Sequence, residues 1–352
     1  MPRRSSRAPR SSSTEGGPLD DAKVTKVTSS DVAKRAGVSQ SAVSRVFSGA
    51  SASKSTKEKV RKAAAELGYR PNVLARSLIT GRSRIIGLVV AYLENPFYTD
   101  ALERLSNALQ REGYHMMIFM ASWSSNVDKV VDELVDYQVD GIIAASVALS
   151  DGLMDRCRAA GIPIVLFNRG QPRGGLTQIT CANRAAGAAI ADHLVGLGHQ
   201  KIGHIAGWEG SMTGRDRAEG FAEGLARHGL TAPVLAADYN RDLAAEAART
   251  LVDDHGVDAI FVGNDHMAFG AIDALRHERG MRVGTDLSIV GFDDVPQAAW
   301  PAYDLTTWRQ PSGQMVEAAI ERMLALIEGD AAPQRVEIEG ELITRGSTRK
   351  ET

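Results

Sequence analysis

Residues 33–47 read AKRAGVSQSAVSRVF, and their spacing decides how everything before residue 84 is organised. Ala33 is small where two helices would cross. Gly37 permits a tight turn, and Val38 and Val43 fall where the helices would pack. Two helices joined by a short Gly-containing turn form the helix-turn-helix pattern, whose second helix enters the major groove of DNA. The flanking residues agree. Thr28, with Asp31 three residues on, is a capping box for a first helix that carries Val32, Ala33 and Ala36 on one face. Ser39 caps a second helix with Val43, Val46 and Phe47 inward. A third runs from about Ser55 to Leu67, burying Val60, Ala64 and Leu67 and stopping at Gly68.

The exposed start of the second helix offers Gln40, Ser41, Ser44 and Arg45. A Gln amide can hold adenine N6 and N7 together, and a guanidinium can hold guanine O6 and N7. A polar helical hairpin within an ordinary all-α domain is the competing reading, and charge weighs against it. Residues 1–84 carry 18 basic and 6 acidic side chains, a net of +12, whereas the remainder carries −14. A basic head on an acidic body points to a polyanion partner for the head alone.

Residues 1–24 are rich in Ser, Pro, Gly and Arg and bury too little apolar surface to offset their ordering entropy, so they read as a disordered tail. Residues 25–70 are the head, and 71–83 a hinge with one or two helical turns. From residue 84 onward the apolar runs IIGLVVAYL, HMMIFM, DGIIAAS, IPIVLF, KIGHIA, DAIFVG and LSIVGF alternate with amphipathic helices, among them 98–112 and 126–137. Continuous apolar strands separated by helices mean parallel sheets covered on both faces. About ten strands are too many for one simple sheet, so two α/β lobes are expected. Cys157 and Cys181 make no CxxC pair or disulfide framework. No apolar run is long enough to span a bilayer, and none follows the basic N-terminus as a signal peptide would, so a cytoplasmic, nucleoid-associated protein is expected.

Ordered motifs then make a resemblance specific: VTSSDVAKRAGVSQSAVSRVFSG, ELGYRPNVLARSLITGRSRIIGLVV, NPFY at 95–98, LGHQKIGHIAG at 197–207, GRDRAEGF at 214–221, VGNDHMAFGA at 262–271, SIVGFDD at 288–294 and LTTWRQP at 305–311. Over almost the whole chain beyond residue 26, the sequence resembles the lactose/galactose-repressor family of transcriptional regulators. The resemblance implies that Gln40 and Ser41 read bases with Arg45 in support, and that Thr28, Ser39, Ser44, Ser53, Thr56 and Tyr69 approach phosphates. In the hinge, Asn72, Ala75 and Leu78 would also meet DNA, Asn72 starting a short helix and Leu78 wedging into the minor groove. Such a helix is marginal alone and would fold only beside its dimer mate on the operator. Three departures touch the head: Ser29 and the ASAS of 50–53 stand where apolar residues are usual, and Ser48 replaces an Asn.

For the remainder, the resemblance implies a periplasmic-binding-protein-like core with an effector closed between two lobes. These are residues 84–182 plus 310–333 and 183–309 plus 334–346, with crossings near 181–184, 307–311 and 332–336. In parallel α/β sheets ligands meet the carboxyl ends of strands, which singles out NPFY, Asn168-Arg169, Asn264-Asp265 and Asp293-Asp294. The family's effector contacts fall at Phe97, Asn168, Arg217, Tyr239, Asn264 and Asp293. These residue types suit a sugar or related polar metabolite. The bland alternatives are helix caps for Asn264 and Asp293 and a core position for Phe97. Ala182 stands where an acid often precedes Asn183, and Asn168 where several sugar- and purine-responsive relatives have Asp. A homodimer on a near-palindromic operator is expected, as two recognition helices match two half-sites. The end RGSTRKET has no heptad for further assembly. His193, His199 and His204 lack zinc spacing, and no dinucleotide, phosphate-loop or GxSxG motif occurs. Neither a cofactor, a metal nor an enzymatic activity is expected.

Overall fold

The head begins with a reciprocal pair of hydrogen bonds. The Thr28 N–H donates to Asp31 Oδ2 (2.9 Å), and the Asp31 N–H donates to Thr28 Oγ1 (3.3 Å), satisfying donors that a helix start would otherwise leave open. Helix α1 (Ser29–Ala36) ends at Gly37, whose φ of 63° turns the chain into α2 (Gln40–Ser48). Ser39 Oγ accepts the Ala42 N–H, and Ser53 Oγ accepts the Thr56 N–H at the start of α3 (Lys54–Leu67). Val32, Ala33, Val43, Val46, Val60, Ala63 and Ala64 form the head core. Ala52 packs at its edge beside Phe47 and Tyr69, whose rings lie 5.8 Å apart. The ASAS stretch thus still supplies one apolar contact.

The computed structural model describes residues 27–48, 51–70, 81–121, 133–147, 149–171 and 175–350. The N-terminal tail and residues 71–80, with Asn72, Ala75 and Leu78, lie outside them. Head and core are separate units dividing near residue 80.

In the core, strands β1 (Ile85–Val90), β2 (His115–Met120), β3 (Gly141–Ala145), β4 (Ile164–Phe167) and β5 (Thr177–Cys181) build the first sheet with helices α4 (Pro96–Arg111) and α5 (Asp151–Ala159). The chain crosses at Ala182 into α6 (Asn183–Gly196), β6 (Ile202–Ala206), α7 (Met212–Arg227), β7 (Val234–Ala236), α8 (Arg241–His255), β8 (Ala259–Val262), α9 (Asp265–Arg279), β9 (Ser288–Asp293) and β10 (Thr306–Arg309). It then returns through α10 (Ser312–Glu328) to β11 (Arg335–Ile338) and ends with β12 (Glu341–Ile343). The strand orders are β11-β5-β4-β3-β1-β2 and β12-β10-β9-β8-β6-β7. Every pairing is parallel except β12 against β10.

Two features differ from the sequence reading. Strand β11 pairs with β5, so the third crossing falls at Glu339–Gly340 rather than 332–336. It passes directly over the second crossing, where a Cβ on Gly340 would lie 2.3 Å from the Arg309 carbonyl oxygen. The antiparallel edge strand β12 follows from that short connection. Each sheet reverses its strand order about its third-from-last position, between β1 and β3 and between β6 and β8, which opens a crevice at the strand carboxyl ends.

His199 is enclosed, with Nε2 2.8 Å from Ser288 Oγ and Nδ1 3.2 Å from Asp258. Ser288 is fully buried and also accepts the Arg349 N–H, so this Ser-His-Asp series fastens the C-terminal segment and offers no reachable nucleophile. His204 stacks on Phe261 at 4.7 Å. Among the described residues no helix is long and apolar enough to cross a membrane.

Helices α6 and α7 touch backbone to backbone. A Cβ on Gly220 would lie 1.9 Å from the Arg184 carbonyl oxygen, and one on Gly187 would lie 2.2 Å from that of Arg217. Gly220→Ala is therefore expected to destabilise the core by about 2–3 kcal/mol in urea denaturation. Gly196→Ala, at a position with nothing within 4 Å, serves as the near-neutral control. Equal effects of the two would refute the close-contact account.

Candidate functional site

In the head, Val43 and Val46 bury one face of α2 and leave Gln40, Ser41 and Arg45 exposed on the other, with Ser44 half-buried between. Gln40 Nε2 donates to Ser29 Oγ at 2.9 Å, Ser39 and Ser41 share a hydroxyl contact of 2.9 Å, and Arg45 Nε reaches the Ser41 carbonyl. Ser29 thus replaces an apolar contact with a hydrogen bond to a base-reading candidate. Thr28 and Ser53 are exposed helix caps, while Thr56 and Tyr69 are half-buried.

The second constellation is a cavity between the two sheets' carboxyl ends. It takes Tyr92, Asn95 and Tyr98 from beyond β1, Ser146 from beyond β3, and Asn168 and Arg169 from beyond β4. The other lobe supplies Ser211, Thr213, Arg217, Tyr239, Asn264 and Asp293. Asp293 is only 5% exposed. Its carboxylate accepts from Asn95 Nδ2 (2.8 Å) across the lobes and from Gln310 Nε2 (2.6 Å) in the second crossing. Burial pushes its pKa up, against the opposing pull of Arg217. Arg217 Nε donates to Asn183 Oδ1 (2.7 Å) and Nη1 to the Gly263 carbonyl (2.8 Å), with its guanidinium 3.6 Å from the Phe292 ring centre. Asn183 in turn is held by the Cys181 carbonyl, so the first crossing aims Arg217.

Tyr239 sits at φ 60° with its hydroxyl 3.3 Å from Ser211 Oγ. Gly207 and Gly214 make room for its ring, because a Cβ on either would lie within 2.6 Å of it. Asn168, also left-handed at φ 51°, directs an amide oxygen that has no hydrogen-bond partner among the described residues. Asn264 lines the cavity while its Oδ1 accepts the Met267 N–H, so its capping role and its place in the wall coexist. Asp293 caps no helix, since the following 3-10 turn has Val295 at its N-cap.

Phe97 is a correction. It is buried against Phe167 and Tyr98 behind the wall, and Tyr98 takes the position at the surface of the cavity. The reason is local: Asn95 Oδ1 caps α4 at the Phe97 N–H and turns the Phe97 ring into the core. The sequence reading also passed over Tyr92 and Ser146, each just past a strand's carboxyl end, where the same rule applies, and Ser211 and Thr213 at the start of the helix that follows β6. Burial raises the pKa of the Tyr92 and Tyr98 phenols, which stay neutral donors.

Asp265, behind Asp293, accepts from Thr307 Oγ1 (2.5 Å) and the Val295 N–H (3.0 Å) and is pushed up to about 8 by burial and by Asp293. A raised folded-state pKa gives stability that is complete below the unfolded value near 3.8 and is lost as pH rises towards 8. Asp265→Asn removes that titration. Urea denaturation is therefore expected to favour the variant, relative to the wild type, more at pH 8 than at pH 5. A pH-independent difference would show that Asp265 ionises freely in the fold.

Comparison with known proteins identifies the family of both parts of the chain. Residues 22–72 match the family of bacterial regulatory proteins, lacI family, and residues 191–348 match the periplasmic binding protein-like domain. The regulator AscG of Escherichia coli is 31% identical over 327 residues, covering 90% of this chain and 97% of its own length. The repressor PurR of Yersinia enterocolitica is 32% identical over 330 residues, covering 90% and 95%. Among solved structures, the lac repressor dimer bound to operator and the anti-inducer ONPF superposes with a TM-score of 0.83 at 29% identity, covering 93% of this chain and all of that one. The regulator CelR in complex with cellobiose superposes at 0.70 with 30% identity, covering 91% and 99%. The chain therefore belongs to the lacI family of bacterial regulatory proteins, as a DNA-binding transcriptional regulator and not an enzyme.

Proposed function

We propose that the chain is a cytoplasmic, homodimeric repressor whose grip on a near-palindromic operator is set by a polyhydroxylated metabolite in the interlobe cavity. The observation that carries this reading is the Asn95–Asp293–Gln310 bridge, which joins both lobes and a crossing segment at the cavity wall. A ligand that engages Asp293 or Arg217 binds one arrangement of the lobes better than another, and only such differential binding can shift a conformational equilibrium. The hydroxyl-rich wall and the partnerless Asn168 oxygen suit a sugar or sugar derivative. The solved complexes of CelR with cellobiose and of the lac repressor with ONPG support that class. On the DNA side, Gln40 and Ser41 read bases and Arg45 supports them. Thr28, Ser39, Ser44, Ser53, Thr56 and Tyr69 approach phosphates, and Asn72, Ala75 and Leu78 serve the hinge. Nine basic against three acidic side chains in residues 27–70 supply the sequence-independent attraction.

Selection of bound duplexes from a random library, using the purified full-length protein with and without pooled sugars and sugar derivatives, tests the reading. A single palindrome is expected. Gln40→Ala should relax preference at one symmetric pair of positions by about 1–3 kcal/mol per half-site, while Lys59→Ala, which removes one of these basic side chains from an exposed position of α3, weakens all sequences alike and flattens the salt dependence. Recovery of nothing but salt-sensitive, sequence-independent binding under every condition would refute it.

A further inference from the structure

The charged groups in the wall of the cavity do not balance. Three of its lining residues carry formal charge: Arg169, Arg217 and Asp293. Arg217 and Asp293 offset one another, and each has its own hydrogen bonds to neutral groups. Arg169 is different. It is 5% exposed, yet among the described residues no carboxylate pairs with it and no carbonyl or hydroxyl accepts a hydrogen bond from it. Its one specific contact is the Trp208 ring, 5.1 Å away. Burial weighs most against its charge, and the groups that bear on it are the phenols of Tyr98 and Tyr239 and the like-charged Arg215.

A buried cation without a counter-charge is costly, and an aromatic face returns only part of its lost hydration. The surroundings favour an anion there. Ser211 and Thr213, whose hydroxyls are 3.1 Å apart, line the same cavity at the N-terminus of α7, where the helix dipole presents its positive end. Next to Arg169, the Asn168 amide oxygen is buried and asks for a donor, which a hydroxyl supplies. A neutral polyol would satisfy Asn168 but leave the guanidinium uncompensated.

We propose that the metabolite is an acid: a polyol bearing one carboxylate or phosphate, whose anionic group sits against Arg169 while its hydroxyls meet Asn168 and Asp293. This rests on the reading of the cavity as the effector site and narrows the class of effector. Arg169 is the residue that separates an acidic ligand from its neutral parent, since a fork of guanidinium donors meets two oxygens of either anion at once.

Isothermal titration of the full-length protein with matched compounds tests this. The panel comprises glucose, gluconate, glucuronate and glucose 6-phosphate, the corresponding galactose and ribose series, and inorganic phosphate alone. At least one acidic member is expected to bind about 30-fold or more tightly than its neutral parent, with an affinity that falls as salt is added. The carboxylate and phosphate arms identify which anion it is. Arg169→Gln should bring that preference to within about threefold, and Arg169→Lys should keep part of it. Without ligand, Arg169→Gln is expected to melt no lower than the wild type, because it removes an unpaired buried charge. A drop of more than about 5 °C would show that Arg169 already has an anionic partner, and would overturn the proposal. Neutral parents binding as tightly as their acids, or a preference that survives Arg169→Gln, would overturn it while leaving the effector site intact. Binding by no member of the panel would overturn both readings together.

Discussion

The Asp293 carboxylate is the constraint around which the core is arranged. A negative charge held between two lobes has to be solvated by the protein, and here Asn95, Gln310 and the nearby Arg217 do so from one lobe, a crossing segment and the other lobe. Its backbone φ of 129° is one that few side chains adopt. That strain persists because β9 pairs on both sides and because Asp265 fixes the Val295 N–H just beyond. At the cavity the lobes therefore meet through hydrogen bonds to this carboxylate. Such a contact can be exchanged for contacts to a polar ligand at small net cost, whereas separating an apolar seam would expose its whole area to water.

Behind that polar centre, each lobe is rigid for ordinary reasons. The strands β1, β3, β4, β8 and β9 are buried on both faces, and helices α6 and α7 meet at glycines. This packing fixes Asn183 and hence Arg217. The head is a different case. Its core is seven small aliphatic side chains, and Phe47 and Tyr69 only cover its edge. With so little apolar area, the Thr28–Asp31 box and the Ser53 cap, each worth about 1 kcal/mol, form a larger fraction of the total. Ser29 adds no apolar area, but it holds the Gln40 amide in place before any base is met.

Much of this was legible in the residue order. The caps, the Gly37 turn and the inward valines of the head follow from short-range periodicity. The parallel sheets follow from continuous apolar runs. The rule that ligands gather past strand carboxyl ends pointed to Asn168, Asn264 and Asp293, all of which line the cavity. It reached the right segment but the wrong side chain in NPFY. Whether Phe97 or Tyr98 faces the cavity depends on how Asn95 caps α4, a matter of rotation about a helix axis. The third crossing was misplaced for a related reason: the residues of β11 carry no mark of which sheet they join, and only their pairing with β5 assigns them.

By itself, then, the sequence determined the elements, their order, the two-part architecture and the chemistry available to each part, because these depend on neighbours within a few residues. The tertiary structure alone decided which distant groups share a counter-charge. Asp293 finds Asn95 nearly two hundred residues away, Arg217 finds Asn183 across a helix crossing, and Arg169 finds an aromatic face in place of an acid. Electrostatic compensation in a buried site acts through space over a few ångströms. Separation along the chain therefore carries no information about which charge is left for a ligand to complete.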